Sequence, residues 1–328
     1  MSPFVNAHTH LYSGLVPLGM PQPTPSPQNF TQILERVWWR LDRALDADSL
    51  RAAARLYVLE ALDAGTHCLV DHHESPEFIE GSLDILADAC EELGMHALLC
   101  YGATERNGGA LEALRGLAEC RRFLETQPRS GIRGLVGVHA GFTVSDETLV
   151  AAGNLAREFE TVLHLHVAED AYDVEDARRR GYRGVIHRLR ELDALVPGSI
   201  LAHGVHLDEA EVRACFDARC WLVQNPRSNT ANGVGYPRAL RASERVALGS
   251  DGFPSDMRVE EQALLASAHD AGDDLEAAGR RLASGEDLAR AWFSEAAQPA
   301  SVSDELRRDI RAQALEEATR LWSRMASS

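Results

Sequence analysis

Eight short runs of β-prone residues, separated by amphipathic helical patterns, constrain the fold more than any other feature of this chain. The runs are 4–10, 68–73, 96–102, 133–140, 161–168, 199–204, 220–226 and 246–252. Strands that alternate with helices are typical of a mostly parallel sheet. Eight such units are the number that closes a (β/α)8 TIM-type barrel. A chain of 328 residues suits one barrel as well as two smaller domains, and the eight units favour a single barrel over 1–328.

A doubly wound open sheet is the alternative arrangement of the same elements. It predicts a glycine-rich phosphate-binding turn after the first strand. That turn reads HTHLYSG here and lacks the glycine pattern. Two regions interrupt the strand–helix alternation. Residues 17–29 are rich in proline and are predicted to form a long loop, and residues 259–326 are predicted to form a helical C-terminal extension.

The charge balance excludes several classes of function. A formal net charge of -17 disfavours nucleic acid and anionic membrane as partners. All 33 basic residues are arginine, so Schiff-base chemistry, pyridoxal phosphate attachment and P-loops are excluded, because each uses a lysine amine. No long apolar run or secretory signal is visible. The six cysteines form no C-x-x-C pair and are interpreted as buried reduced thiols in a cytoplasmic protein.

Histidines and acids fall at the predicted carboxyl ends of the strands, where barrel enzymes keep their active sites. His8 and His10 are two residues apart on the first strand, so both face the same side. His166 ends the fifth strand, His203 the sixth and Asp251 the eighth. Three of the imidazoles and the carboxylate make a ligand set for Zn²⁺ or Fe²⁺ that leaves a position for water. Each residue alone is a weak signal, and their common placement is the stronger one.

The motif series resembles the amidohydrolase superfamily in its cytosine-deaminase-like or chlorohydrolase branch. The segments that carry the resemblance are NAHTHLYSGL, LHVAED, LAHGVHL, QNPRSN and LGSDG. Further segments resemble aminohydrolases of the SsnA type, namely WWRLDRAL, DHHESP, TERN and HAGFTVS. The resemblance covers about residues 4–260 in the correct order, which makes it more specific than any one motif.

The resemblance implies a role for each matching residue. The metal ligands that it implies are His8, His10, His166 and Asp251. It implies that Glu169 is the proton-shuttling acid and base, that His203 orients the attacking water, and that Asp251 also takes part in catalysis. The implied substrate contacts include His139, and we add Trp39, Arg106 and Asn225 as candidates. Binuclear relatives use a carboxylated lysine, which this chain lacks, so one divalent ion is expected, with Zn²⁺ favoured and Fe²⁺ as the alternative.

Three histidines near these positions are interpreted separately. His164 shares a face with His166, and we interpret it as a residue of the barrel interior and not as a ligand. His72 and His73 end the second strand, and either could line the pocket or support it. The sequence leaves that alternative open.

The function implied is hydrolytic deamination of a small, nucleobase-like amino-substituted N-heterocycle by a metal-activated hydroxide. A dechlorinating or other C–N hydrolase with the same site, and a truncated barrel that binds metal without turnover, remain alternatives. Family members usually carry a flanking β-sandwich built from segments before and after the barrel. We expect this chain to lack it, which leaves a minimal form, a fragment or a split protein open. A homodimer is also left open.

Overall fold

The sheet forms a closed barrel of parallel strands. The computed structural model describes residues 4–295, 297 and 299–327. The strands are β1 (Phe4–Thr9), β2 (Thr66–His73), β3 (His96–Ala103), β4 (Ile132–Gly134), β5 (Val136–Ala140), β6 (Leu163–Val167), β7 (Ile200–His203), β8 (Trp221–Gln224) and β9 (Val246–Leu248). They pair in the order β1-β2-β3-β5-β6-β7-β8-β9. The backbone amides of Ser250 and Asp251 donate to the carbonyl oxygen of His8 at 3.0 Å and join the last strand to the first. The predicted (β/α)8 barrel is confirmed.

The fourth barrel strand consists of two segments, where the sequence predicted one run over 133–140. Segment β4 pairs with the first half of β3, and β5 pairs with its last two residues. The backbone of β5 approaches β3 very closely, because a Cβ placed on Gly137 would lie 2.3 Å from the carbonyl oxygen of Tyr101. Glycine is therefore required at this point, which brings the end of β5 and His139 to the rim of the barrel.

Strand β1 carries a bulge at the end that bears the two histidines. Asn6 pairs with Leu69 and Thr9 pairs with Asp71, so three steps along β1 match two steps along β2. The extra residue changes the side-chain alternation of β1. Ala7 packs in the apolar cluster inside the barrel, and His8 also faces the interior, where its ring contacts other histidines.

Helices surround the barrel and close both of its ends. They are α1 (Phe30–Ile33), α2 (Trp39–Ala44), α3 (Ala47–Asp63), α4 (Ser82–Leu93), α5 (Ala110–Thr126), α6 (Asp146–Glu158), α7 (Ala171–Arg179), α8 (Val185–Glu191), α9 (Glu209–Asp217), α10 (Pro226–Ala231), α11 (Met257–Ala271), α12 (Leu275–Arg290) and α13 (Asp304–Ser327). Short 3₁₀ turns lie at Leu11–Leu15, Gly141–Thr143 and Arg238–Ala242. Helix α9 begins with the predicted capping box, in which Asp208 accepts from Glu211 N at 2.8 Å. No described helix is long and apolar enough to cross a membrane.

The C-terminal extension is helical, as the sequence predicted, but its middle part differs. Two helices were predicted over 272–283 and 286–296, and the structure has the single helix α12 there. Residue 296 lies outside the described residues. Helix α12 continues through Gly285 because that glycine packs against β1, where a Cβ would lie 3.0 Å from Val5. Leu288 and Phe293 then close the amino-terminal end of the barrel.

A helical segment covers the opposite, carboxyl end of the barrel. Residues 16–29 form the predicted irregular loop, which leads into α1, a π-helical turn over Leu34–Trp38 and α2. Phe30 and Leu34 of this segment pack on Val205 and Val234, which follow later barrel strands. The segment therefore forms a wall over the region where the predicted site residues lie.

All six cysteines are free and buried, as predicted. Two of them, Cys68 and Cys100, belong to the apolar cluster inside the barrel. The other four lie in the larger cluster between the strands and the outer helices; they are Cys90, Cys120, Cys215 and Cys220.

Candidate active site

The four predicted metal ligands converge at the carboxyl end of the barrel. The Nε2 atom of His10 lies 2.9 Å from Asp251 Oδ1 and 3.3 Å from His166 Nε2. The Nε2 atom of His8 lies 3.3 Å from the same Asp251 oxygen. A tetrahedral zinc ion with Zn–N distances of about 2.0–2.1 Å requires ligand atoms about 3.3 Å apart. The separations of these donor atoms therefore fit one small divalent ion.

Two of the three imidazoles are oriented by backbone carbonyl groups. The Nδ1 atom of His10 lies 2.5 Å from the carbonyl oxygen of His72, and that of His166 lies 2.6 Å from the carbonyl oxygen of His139. A carbonyl oxygen can only accept, so each Nδ1 carries a hydrogen and each Nε2 faces the centre. Within the described part of the chain, buried His8 Nε2 has no partner apart from its 3.3 Å ion-pair contact with Asp251 Oδ1. A buried donor atom that faces only a second candidate ligand suits a metal site.

The four candidate ligands differ in charge because their surroundings shift their pKa values in different directions. Burial lowers the pKa of His8 to about 3 and holds the pKa of His166 well below its usual value, so both are neutral, as metal binding requires. Burial also opposes the charge of His10, but its hydrogen bond to Asp251 and nearby carboxylates outweigh burial and raise its pKa to about 9. The pKa of Asp251 is held well below its usual value, because its bonds to His10 and His8 outweigh burial. A proton on His10 thus balances the Asp251 carboxylate, and a metal ion can replace it.

Two of the site residues have a left-handed backbone that side chains other than glycine rarely adopt. The φ angle is 74° at His203 and 55° at Asp251. Ala168, between His166 and Glu169, is a third case with a φ of 47°. Such conformations cost about 1–3 kcal/mol each and cluster at functional sites. At Ala168 the turn is followed directly by Glu169, whose side chain lines the cavity.

Glu169 and His203 lie next to the four ligands. Glu169 Oε2 is 3.5 Å from His203 Nε2, and Asn232 donates to Glu169 Oε1 at 3.1 Å. Burial raises the pKa of Glu169 to about 7, with the His203 charge opposing and the Asp251 charge adding to the shift. A carboxyl with a pKa near neutrality can both accept and deliver a proton.

Asn225 lies behind His203 and not on the cavity wall. Its side chain is buried, and its Nδ2 atom is 3.3 Å from His203 Nδ1. Asn229 Oδ1 is 3.0 Å from the same nitrogen. The predicted substrate contact of Asn225 is thus replaced by a contact with the ring of His203.

The other predicted substrate contacts do line the cavity. Arg106 stacks on Trp39 with its guanidinium carbon 4.9 Å from the ring centroid, and it binds Asp42 at 2.8 Å. His139 Nδ1 is 3.1 Å from the hydroxyl of Thr143, which itself donates to Ala140 O at 2.9 Å. The hydroxyl therefore accepts from His139, whose Nε2 is left as an acceptor.

Both tryptophans that follow the proline-rich loop line the cavity, together with Trp39's neighbours Phe30 and Phe142. Trp38 packs on Gly252, where a Cβ would lie 2.5 Å from its ring. The sequence suggested Trp39 as a candidate substrate contact, and the structure places both Trp38 and Trp39 on the cavity wall. The result is an aromatic wall suited to a flat ring.

Asp42 and Glu74 are among the acids of the cavity wall that were not identified from the sequence. Glu74 lies 2.6 Å from His72 Nδ1 and 3.6 Å from His10 Nδ1, and Asp42 Oδ1 is buried without a partner among the described residues. The charge of His72 outweighs burial and holds the pKa of Glu74 below its usual value. Both residues lie inside segments that carry the resemblance, DHHESP and WWRLDRAL, and their position directly after the strand-two histidines and the tryptophans is the signal that could have identified them.

The structure places His164, His72 and His73 outside the cavity lining. His164 is buried in the barrel interior, with Nε2 3.0 Å from His8 Nδ1. His72 pairs with Glu74, and His73 Nε2 is 2.8 Å from the hydroxyl of Ser75. His72 therefore supports the cavity wall through Glu74, whereas His73 bonds no described site residue.

Comparison with known proteins places this arrangement among hydrolases. Residues 3–301 match the model of the amidohydrolase family. A 5'-deoxyadenosine deaminase of Methanoregula boonei is 32% identical over 238 residues, which cover 68% of this chain and 50% of the relative. An 8-oxoguanine deaminase of Pseudomonas aeruginosa is 30% identical over 270 residues, covering 76% of this chain and 59% of the relative. This chain spans little more than half the length of these curated relatives.

Solved structures share the fold. A zinc-bound adenosine deaminase from Xanthomonas campestris superimposes with a TM-score of 0.75 at 24% identity, covering 92% of this chain and 70% of that chain. A zinc-complexed atrazine chlorohydrolase from Arthrobacter aurescens gives a TM-score of 0.71 at 20% identity, covering 93% and 78%. At these identities the likeness shows the barrel architecture.

Proposed function

Because this chain belongs to the amidohydrolase family, we propose that it is a mononuclear metal-dependent aminohydrolase that removes an amino group from a small N-heterocycle. The observation that carries the proposal is the convergence of His8, His10, His166 and Asp251 on one point, with Glu169 beside it. The ligand set of three nitrogens and one carboxylate suits Zn²⁺, and Fe²⁺ is the alternative. The relatives that deaminate purine compounds support this class of substrate.

The residues around the ligands supply the proton transfers. When bound, the metal ion lowers the pKa of a coordinated water from about 15.7 to about 7. Glu169 accepts the proton that the water loses and delivers a proton to the ring nitrogen beside the attacked carbon. The water oxygen adds to that carbon, Glu169 then moves the remaining hydrogen of the new hydroxyl to the amino group, and the C–N bond breaks to release ammonia and leave a carbonyl group. Asn232 holds Glu169 in place, and His203 faces its other oxygen.

The far wall of the cavity supports a substrate with hydrogen-bond donors. His139 Nε2 is an acceptor, Asp42 Oδ1 lacks a partner, and Glu74 adds a second carboxylate. Buried acceptors without partners cost free energy that a ligand donor recovers. Ring N–H groups and further amino groups of a heterocycle would meet this wall, while Trp38 and Trp39 contact the ring faces.

The proposal is tested with a panel of aminated purines, pyrimidines, pterins and triazines and matched chlorinated rings, incubated with the zinc-loaded protein. We expect ammonia release from at least one aminated ring. Release of chloride alone would replace deamination by dechlorination at the same site. A protein that binds metal and releases neither product across the panel would contradict the enzymatic proposal and favour a binding barrel.

Glu74→Gln is expected to raise KM about tenfold to a hundredfold for the substrate found in that panel, with a smaller change in kcat. The substitution keeps the shape of the side chain and removes the charge that a substrate donor would meet, and a hydrogen bond to a charged group contributes about 1.5–3 kcal/mol. Steady-state kinetics of the zinc-loaded variant measures the change, after its metal content has been verified.

Glu77→Gln is the matched control for this variant, because Glu77 is exposed three residues further along the same loop. It should leave both constants unchanged. If Glu74→Gln has the KM of the wild type, Glu74 does not contact the substrate and only supports His72.

A further inference from the structure

His164 lies directly behind the candidate ligand His8. Its side chain is fully buried, and its Nε2 atom is 3.0 Å from His8 Nδ1. The two rings meet edge to face at 83°. On its other side, His164 Nδ1 lies 3.7 Å from the thiol sulfur of Cys100, inside the barrel. The imidazole is thus enclosed between one candidate ligand and the apolar cluster of the barrel interior.

The direction of His8 determines where its proton must lie. His8 Nε2 faces Asp251 Oδ1 at 3.3 Å, at the point where the donor atoms converge. A histidine that binds metal through Nε2 carries its hydrogen on Nδ1. That hydrogen points at His164 Nε2, which must then be an acceptor with its own hydrogen on Nδ1. The short contact between the two nitrogens is satisfied by this one assignment when a metal is bound.

The other two imidazole ligands do not depend on a side chain in this way. His10 and His166 are held by the backbone carbonyl groups of His72 and His139, which belong to the strands themselves. At His10 Nδ1 the side chain of Glu74 lies at 3.6 Å, beyond the backbone carbonyl, whereas the partner of His8 Nδ1 is the side chain of His164 at 3.0 Å. His8 is also the ligand placed by the bulge of β1, where the regular alternation is broken. A substitution at His164 can therefore affect one ligand while the strands stay intact.

We propose that His164 is a positioning residue that fixes the ring orientation and the proton of His8, and thereby the affinity of the site for its metal ion. The inference rests on the proposed metal site but not on the proposed deamination. His164 itself is not a ligand in this arrangement, since its Nε2 atom is occupied by His8 and its Nδ1 atom faces Cys100. Outer hydrogen bonds to ligating histidines typically change metal affinity 10- to 100-fold.

The test compares two substitutions of similar size. His164→Gln places an amide oxygen near the position of Nε2 and keeps an acceptor for His8, whereas His164→Leu keeps the volume and removes it. The dissociation constant for Zn²⁺ is measured by competition with a chelator, which requires no substrate. We expect about 10- to 100-fold weaker binding in His164→Leu and binding within a few-fold of wild type in His164→Gln.

His73→Leu is the matched control. His73 is equally buried at the end of β2, and its ring bonds Ser75 and no candidate ligand. It should lose stability without losing zinc affinity. If His164→Leu does not give a folded protein, His164→Met replaces it, since its unbranched side chain also lacks a nitrogen acceptor.

Three results would overturn the inference. Wild-type zinc affinity in the folded apolar variant would show that His8 needs no partner. Equal losses in the glutamine and apolar variants would assign the effect to packing. A wild-type protein that binds no zinc would overturn the inference together with the metal site, whereas a zinc-binding protein without deaminase activity would leave it standing.

Discussion

Replacing Glu169 with glutamine is expected to lower kcat by about 10²- to 10⁴-fold while the metal stays bound. The amide has nearly the shape of the carboxyl group, and it can still meet Asn232 and His203, but it cannot accept a proton and return it. The three imidazoles and Asp251 are untouched by the change. Single-turnover and steady-state assays of ammonia release, with the metal content of the same sample, measure the effect.

Glu175→Gln provides the control, because Glu175 is an exposed acid on α7, six residues after Glu169. It should keep wild-type turnover. If the Glu169 variant keeps the turnover of the wild type, Glu169 is not the acid and base of the reaction. Loss of metal together with activity would instead place Glu169 among the groups that hold the ion.

Removal of the metal ion is expected to abolish all measurable turnover. Addition of about one equivalent of Zn²⁺ per chain should restore the turnover. Among the described residues, His8, His166, His203 and Asp251 place donor atoms within 4.8 Å of one another, and His10 joins them through its contacts with Asp251 and His166. The chain has no lysine to bridge a second ion. Fe²⁺, added without oxygen, should also restore activity, and Mg²⁺ should not, because imidazole nitrogens favour zinc and iron over magnesium. Elemental analysis measures the metal content per chain, and a titration of the apoprotein with Zn²⁺ measures the recovery of turnover.

The melting temperature should follow the same titration. The buried His8 Nε2 and the Asp251 carboxylate, which is 13% exposed, meet in the folded state, so an ion that binds to the folded state alone stabilises it. The melting temperature should stop rising at the same amount of Zn²⁺ at which the activity reaches its maximum. Activity that needs two equivalents, or that survives full removal of metal, would contradict a mononuclear centre.

The sequence predicted the barrel because strand-forming runs and helical patterns are local features. All eight runs form strands, although several are shorter than predicted, since the last residues of runs such as 246–252 leave the ladder. The ends of those runs hold Glu169, His203 and Asp251, so the candidate site could also be located. In a parallel barrel all carboxyl ends meet at one rim, and this rule brings distant residues together.

The parts that the sequence did not predict depend on long-range contacts. The helical segment with Phe30 and Leu34 is short, and its packing partners Val205 and Val234 are far away along the chain. The bulge of β1 depends on its pairing with β2, which no local pattern shows. Helix α12 continues through Gly285 because β1 occupies the space beside that residue.

The roles of Asp42 and Glu74 could not be inferred for a related reason. A single acid in a loop or short helix is usually solvated, and only the folded chain shows these two carboxylates buried on a cavity wall. Asn225 illustrates the opposite case. It follows strand β8 at the rim, as the sequence suggested, but its side chain is fully buried against the ring of His203.

The buried cysteines can report which part of the molecule opens locally, because they lie in two different clusters. Cys100 and Cys68 react with a thiol reagent only when the barrel interior is exposed, whereas Cys90 and Cys215 react when an outer helix separates from the sheet. Labelling rates under native conditions therefore resolve two kinds of fluctuation within one molecule. Cys100 lies in contact with His164, so its labelling rate follows how tightly the floor of the metal site is closed.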